Sequence, residues 1–237
     1  MKKLLAIVVI LCLVSLAIVG TVRGQTLTAG VRMGDAFIYH VTSHWASTDP
    51  YASIPEDIAK LNQTDYIDVR ISNINATNID VFAATIYKDG TSDAERGSIN
   101  YQTGESSGSF VAIIAANLTA NQRVHPAGTD TVTINSTTTS NYQGEIRETN
   151  RVYISNRNDE AGVTSSVDRY FDKITGMLVQ SSETTTYDDP SSTSTATWTL
   201  INSSAWTIPE FPVILALPIF MAATAFATIA YKKTRLT

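Results

Sequence analysis

The chain holds one cysteine and three histidines in 237 residues, with 17 basic side chains against 22 acidic ones. A single cysteine excludes an intrachain disulfide and every zinc site built on paired thiols. The balance of −5 offers no basic surface to a phosphate backbone, so nucleic acid is not an expected partner. Also missing are a Gly-x-Ser-x-Gly nucleophile turn, a His-Glu-x-x-His zinc helix, a phosphate-cradling loop and a dinucleotide fingerprint. No cofactor is therefore expected. Paired carboxylates for glycan cleavage leave no local motif, and that chemistry stays open. No repeat at a fixed period is present. Apolar residues make up 43% of the chain, near the globular average, but they are unevenly placed. Both ends are almost purely apolar, and the middle is rich in Ser, Thr and Asn.

Met1, Lys2 and Lys3 precede an apolar run from Leu4 to Val19, followed by Gly20, Thr21, Val22, Arg23 and Gly24. A basic head, an apolar run and a small-residue exit describe a secretory signal peptide. Val22 and Gly24 suit the two positions a signal peptidase reads, which predicts a cut after Gly24. An uncleaved anchor is the alternative: the run is slightly longer than a usual signal core, yet slightly short of a span of about 20 residues. Cys12 follows Leu11, where a lipoprotein signal wants a small residue, and reads as a plain apolar residue. A mature chain starting at Gln25 would contain no cysteine and would rely on core packing and sheet hydrogen bonds.

At the other end, Val213 to Tyr231 is an uncharged run of 19 residues. As a helix it would be roughly 28 Å long, which matches a bilayer core. Lys232, Lys233 and Arg235 follow at once and predict a cytoplasmic tail by the positive-inside rule. Trp206 and Tyr231 flank the run, as amphipathic rings do at membrane interfaces. Pro218 is tolerable inside such a helix. The expected organisation is a signal peptide over 1–24, an ectodomain over 25–201, a tether over 202–212, a transmembrane helix over 213–231 and a basic tail over 232–237.

Pro209, Glu210, Phe211 and Pro212, then an apolar span, then a Lys/Arg cluster, resemble the PEF-CTERM type of C-terminal sorting signal of archaeal surface proteins. The resemblance covers about the last 30 residues. It implies handling by a membrane-embedded sorting protease, an archaeosortase, with cleavage near Glu210 and attachment of a lipid. A GPI signal fits less well, because its tail ends apolar rather than basic.

Between Gln25 and Thr207, 11 Lys and Arg stand against 21 Asp and Glu, which leaves −10. Along the sequence this charge is spread, and it reads as a solubility feature. Five Asn-x-Ser/Thr sequons, at Asn62, Asn75, Asn117, Asn135 and Asn202, are candidate glycan acceptors and so expected at the surface. Period-2 alternation recurs: Phe37, Tyr39 and Val41; Ile67, Val69 and Ile71; Val81, Ala83 and Thr85; Val152 and Ile154. Further strand-like runs cover 130–138, 163–171, 177–187 and 192–202. Turn signals lie at Asp89-Gly90, Thr103-Gly104, Ala127-Gly128 and Asp172 to Gly176. This pattern predicts antiparallel hairpins and an all-β fold, a sandwich or a half-open barrel, with one or two short helices. One helix is expected after Ser53-Ile54-Pro55-Glu56, which has the spacing of a capping box. A second is expected in the Ala-rich run 110–118. The Ser/Thr stretch 181–199 reads as two edge strands joined at Asp189-Pro190, since a mucin-like stalk would not need Val179, Tyr187, Trp198 and Leu200. The aromatic set Phe37, Tyr39, Tyr66, Phe82, Tyr87, Tyr101, Phe110, Tyr153, Tyr170 and Phe171 is ample for the core.

His40 and His44, four apart on a strand, are separated by roughly 13 Å, too far to share one ion. His125 before Pro126 reads as a loop residue. Asn156-Arg157-Asn158-Asp159-Glu160 alternates oxygen ligands but lacks the glycine and the bidentate glutamate of a calcium loop, so it reads as a strand link. The expectation is a cell-surface, membrane-anchored, non-catalytic ectodomain with a structural or binding role, facing envelope components or glycans. The alternatives are a carrier of a lipid or apolar ligand in a half-barrel and a membrane-tethered glycan hydrolase.

The basic tail gives a test. Replacing Lys232, Lys233 and Arg235 together with Gln should disturb the orientation of the anchor, because cationic residues resist translocation. Protease protection of a C-terminal tag reads this, and unchanged topology and anchoring would contradict it.

Overall fold

The computed structural model describes residues 27–108, 112–142 and 144–206. The leader, the Pro-Glu-Phe-Pro motif, the apolar run and the basic tail lie outside these residues, as does Phe110. The elements, in chain order, are β1 (Ala36–Ser47), α1 (Glu56–Gln63), β2 (Thr64–Asn75), β3 (Asn78–Tyr87), β4 (Ser92–Asn100), β5 (Ser106–Ser107), β6 (Ser136–Tyr142), β7 (Glu145–Asn158), β8 (Val163–Asp172), β9 (Leu178–Asp188) and β10 (Ser191–Ser203). The strands form one antiparallel sheet in the order β5-β4-β3-β2-β1-β10-β9-β8-β7-β6. It consists of two five-stranded meanders, joined in the middle by β1 and β10 and linked in sequence by a crossover over 108–135. The all-β expectation holds, as one open sheet rather than two stacked ones.

Alternation puts every second residue on one face, and that face is the core. On β1 it carries Phe37, Tyr39 and Val41; on β2, Ile67, Val69 and Ile71; on β3, Ile79, Val81 and Ala83. Tyr39 is wholly buried and donates its hydroxyl to the Leu178 carbonyl at 2.8 Å. That burial pushes its pKa well above the ordinary phenol value. The crossover supplies the rest of the core through Ile113, Ile114, Ala115, Ala116, Leu118, Val124 and Ile134, all buried. Each large aliphatic side chain there removes surface worth about 1.5–3 kcal/mol.

The sheet curls around this filling. Ile99 of β4 and Val167 of β8 line one cavity of about 210 Å³. Six strand steps separate their strands, roughly 29 Å if the sheet were flat. The crossover is held by backbone hydrogen bonds rather than by regular structure: Ile114 N–H to Gly176 O at 2.9 Å, Asn117 N–H to Lys173 O at 2.7 Å and Leu178 N–H to Ala112 O at 3.0 Å. Buried Asn150 adds a side-chain link, donating to Leu118 O at 2.8 Å and accepting from the Thr137 hydroxyl at 2.7 Å.

Several expectations are corrected. The described part of run 110–118 is not helical; Ile113 bridges to Met177 in extended backbone, because its backbone groups pair with the β8–β9 link and the segment before β1, at Gly176, Lys173 and Thr28, which outweighs local propensity. Residues 130–135 are irregular, and β6 begins only at Ser136. The Ser53 capping box does not form: Pro55 stands at the N-cap without a side-chain hydrogen bond. The two Thr-rich strands, β9 and β10, are central rather than at the edge. Strand β10 runs to Ser203, and Ala205 and Trp206 pack against the core, so the sheet takes in the first residues expected for the tether. Tyr153, counted for the core, is exposed.

The link between β8 and β9 contains the tightest joint. Asp172, buried, receives the Arg147 guanidinium at 2.6 and 3.0 Å and the Thr175 N–H and hydroxyl at 2.7 and 2.8 Å. Gly176 follows at φ +71, and a Cβ there would overlap the Ile114 carbonyl oxygen. Gly176→Ala should therefore cost more than the 1–2 kcal/mol of positive φ alone, about 2 kcal/mol or more. Gly144→Ala, at φ +86 in open space, should cost only about 1–2 kcal/mol. Denaturant unfolding of the two variants measures the difference.

Candidate ligand cleft

Helix α1 has Glu56 and Asp57 in its first turn and Lys60 in its last, the charge order that suits the helix dipole. It ends at Thr64, where the backbone turns extended and β2 starts without a loop. The Ser43 hydroxyl of β1 donates to the Ile58 carbonyl at 3.0 Å, Ile58 is buried, and Leu61 packs on the core. Eight residues make a helix of only about 12 Å, so α1 covers the middle of the sheet and leaves an open space beside Thr85 and Tyr87 of β3 and Asp93 and Glu95 of β4.

The uncovered space is a cleft of about 740 Å³, open to solvent, within the usual range for small-molecule sites of about 300–1,000 Å³. Leu61, Ile67, Ala83 and Trp198 form an apolar floor, and Asp57, Lys60, Tyr87, Asp93 and Glu95 form the rim. Register explains the rim: Thr85 pairs with Asp93 and Ala83 with Glu95, so both carboxylates share the face of Ala83. The Tyr87 hydroxyl donates to Asp93 Oδ2 at 2.8 Å, and Lys60 Nζ lies 3.4 Å from the same oxygen. Lys60 Nζ also stands 5.6 Å from the Tyr87 ring centroid. The Tyr87 hydroxyl first, then Lys60, hold the Asp93 carboxyl below the ordinary carboxylate range. Tyr87 and Asp93 raise the Lys60 ammonium in turn. An apolar floor under a rim that stays ionised can hold a molecule with an apolar body and a cationic or hydroxyl-bearing head. A depressed Asp93 is poorly suited to donate a proton at neutral pH.

The fold also gathers charge that the sequence spreads. The segments at the cleft end of the sheet, 48–63, 87–95, 157–163 and 187–192, hold 10 of the 21 acidic residues and 3 of the 11 basic ones. Arg157 is the main counter-charge, reaching Asp159 at 2.6 Å and Asp188 at 2.8 Å. Those two carboxylates raise its guanidinium pKa, Asp188 foremost.

The residues singled out from sequence fall elsewhere. All five sequon asparagines are exposed: Asn62 on α1, Asn75 ending β2, Asn117 in the crossover at φ 61, Asn135 before β6 and Asn202 on β10. The Asn135 side-chain oxygen accepts the Tyr153 N–H at 2.6 Å. His40 and His44 are exposed on β1, on the face opposite Phe37 and Tyr39. His125 packs over Gly104, with Nδ1 2.7 Å from Asp130 Oδ2. Asn156 to Asn158 end β7, with Asp159 and Glu160 in the turn to β8. Among the described residues no group of His, Cys, Asp and Glu could hold a metal ion. Pro209, Glu210, Phe211, Pro212, Lys232, Lys233 and Arg235 lie outside the described residues. The cleft residues had one local signal: the Asp89-Gly90 turn folds Tyr87 back toward Asp93.

No protein-family model, no curated protein and no solved structure matches this chain.

The Asp93 pair gives a pH test. Its folded pKa is depressed, so its contacts as a carboxylate are complete at neutral pH and are lost as pH falls through that lowered pKa. Tyr87→Phe removes the largest cause and should move the Asp93 titration up toward the ordinary carboxylate value. Side-chain carboxyl chemical shifts against pH read this directly; an unmoved midpoint would contradict it.

Proposed function

We propose that the chain is a membrane-anchored surface protein with a non-catalytic, ligand-binding ectodomain. In this reading the leader is cut after Gly24, the apolar run 213–231 anchors the chain, and the tail with Lys232, Lys233 and Arg235 stays in the cytoplasm. The resemblance of residues 209–235 to a sorting signal supports processing by an archaeosortase-type protease. The exposure of all five sequon asparagines supports a glycosylated outer surface. The observation that carries the binding role is the cleft of about 740 Å³, apolar on its floor and ionised at its rim. Its ligand is a small amphipathic component of the envelope or its surroundings, a glycan or an organic cation with an apolar portion.

Two observations weigh on the alternatives. A carrier needs the concave face for an apolar chain, and here the crossover occupies much of that face. A glycan hydrolase needs a carboxylic acid kept protonated near neutral pH, and Asp93 moves the other way.

Native mass spectrometry of the full chain from its own membranes tests the reading. Extra mass lost on denaturation is expected, and Thr85→Trp, which fills the cleft, should abolish it. Bound mass that persists in Thr85→Trp, or its absence in the unaltered chain, would overturn the assignment of the cleft. The denatured mass separately reports whether the chain ends at Thr237 or near Glu210.

A further inference from the structure

The sheet has two unlike ends. Cleft, α1 and acidic turns lie at one. The other holds the segment before β1, the turns β2–β3, β6–β7 and β8–β9, and the exit from β10. The hydrogen bonds fix this grouping. Gly34 N–H donates to Ile71 O and Ser204 N–H to Ala36 O, each at 2.9 Å, while Lys173 N–H donates to Glu148 O at 2.9 Å. A Cβ on Gly30 would overlap the Ile174 carbonyl oxygen, and the Arg147 guanidinium stands 5.0 Å over the Trp206 ring.

Large aliphatic side chains project from this end. Met33 is 72% exposed, Ile146 76% and Ile174 61%, with Ile201 partly exposed nearby. A folded domain has no packing reason to present three such residues, two in connecting segments and Ile146 at the start of β7, around its own exit point. Charge there is low: segments 27–35, 72–78, 100–105, 141–148, 172–176 and 203–206 hold 5 acidic and 3 basic residues. Four of the five carboxylates are engaged locally: Asp172 with Arg147, Glu148 with Lys173 at 2.9 Å, Asp35 with the Arg32 N–H at 2.7 Å, and Glu105 with the Thr103 hydroxyl at 3.2 Å. This limits the cost of bringing the end toward an apolar phase.

The chain leaves this end at Trp206, and the uncharged run begins at Val213. The six intervening residues, seven steps from Cα to Cα, reach at most about 25 Å. We infer that the Met33, Ile146 and Ile174 end is a membrane-contacting face, its side chains entering the headgroup layer of the bilayer that anchors the chain, with the cleft pointing away from it. The inference rests on the anchor reading. Side chains of this kind seat about 5–10 Å into the headgroup and acyl boundary. Two attachments, a span and an apolar face, would fix the orientation that a flexible tether alone leaves free.

The test uses the full chain in phospholipid vesicles carrying a headgroup nitroxide. Cys12→Ser removes the sole native thiol. Bimane is then placed singly at Met33→Cys, Ile146→Cys or Ile174→Cys, with Tyr51→Cys and Ile54→Cys as controls, since both are exposed at the opposite end. Quenching of about twofold or more is expected at the first three sites and under about a tenth at the controls, given the shallow depth of interfacial side chains. Equal quenching at both ends, or none at Met33, Ile146 and Ile174, overturns the face. A concentration-dependent emission shift at those sites without lipid quenching also overturns it, in favour of a second copy of the chain. Extraction at alkaline pH separates the two readings. A chain that resists extraction but shows no quenching keeps the anchor and loses the face; a quenched chain that is extracted keeps the face and loses the anchor.

Discussion

A single sheet has two faces, and this chain must bury one of them with the segments that connect its strands. Everything else in the structure follows from that constraint. Ten antiparallel strands in one open sheet have no second sheet to pack against. Among the described residues the material at hand is the crossover, the segment before β1 and one eight-residue helix. The sheet therefore curls, and residues of β4 and β8 come to line the same small cavity. The crossover cannot form its own secondary structure while also presenting Ile113, Ile114, Leu118, Val124 and Ile134 to the concave side. Its backbone groups are satisfied by the sheet and by neighbouring loops instead.

That arrangement places polar groups in a buried position, and Asp172 shows how they are accommodated. Its carboxylate meets a bidentate arginine and both donors of Thr175, so the charge is paired and its oxygens are occupied, as a buried carboxylate requires. The same residue shapes the turn that delivers Gly176 O to Ile114 N–H. Removal of the partner charge would leave a buried anion and loosen the crossover at once, because one side chain serves both tasks. Asn150 plays the neutral counterpart on the other side, joining β6, β7 and the crossover.

The strands that were legible in sequence were those with one buried face. β1, β2 and β3 alternate because their inner residues meet the core, and the turns at Asp89-Gly90 and Asp172 to Gly176 carry their own conformational signal. The pairing of β9 with β10 was also readable from the aromatic and aliphatic residues at their flanks. Their central place was not, since Thr-rich strands suit an exposed edge equally well and only the β1–β10 pairing puts them in the middle. The Ala-rich run misled toward helix because local propensity is a weak force beside backbone hydrogen bonds to Thr28, Lys173, Gly176 and Leu178, distant in sequence. The diffuse acidic charge became a polarised one for a topological reason: acidic residues sit in and near the hairpin turns of one end, and a meander returns those turns to the same side.

Strand β4 left no signal at all, and the reason it was illegible is the reason the cleft exists. Its inner face carries Asp93, Glu95 and Gly97 before Ile99, so its first two turns of alternation are polar on both sides. A strand with that face could not lie over a filled core without burying two carboxylates. It lies instead over open space, where α1 is too short to reach and the crossover does not extend. Tyr87 and Lys60 then gather around Asp93 at the mouth, while Ile67, Ala83 and Trp198 form the floor below. The floor is only partly covered: Ile67 and Ala83 are buried, while Leu61 and Trp198 are half-buried. The half-buried part of that floor is bordered by the ionised groups of Lys60 and Asp93, so the same polar face that keeps β4 out of the core also lines the mouth of the cleft.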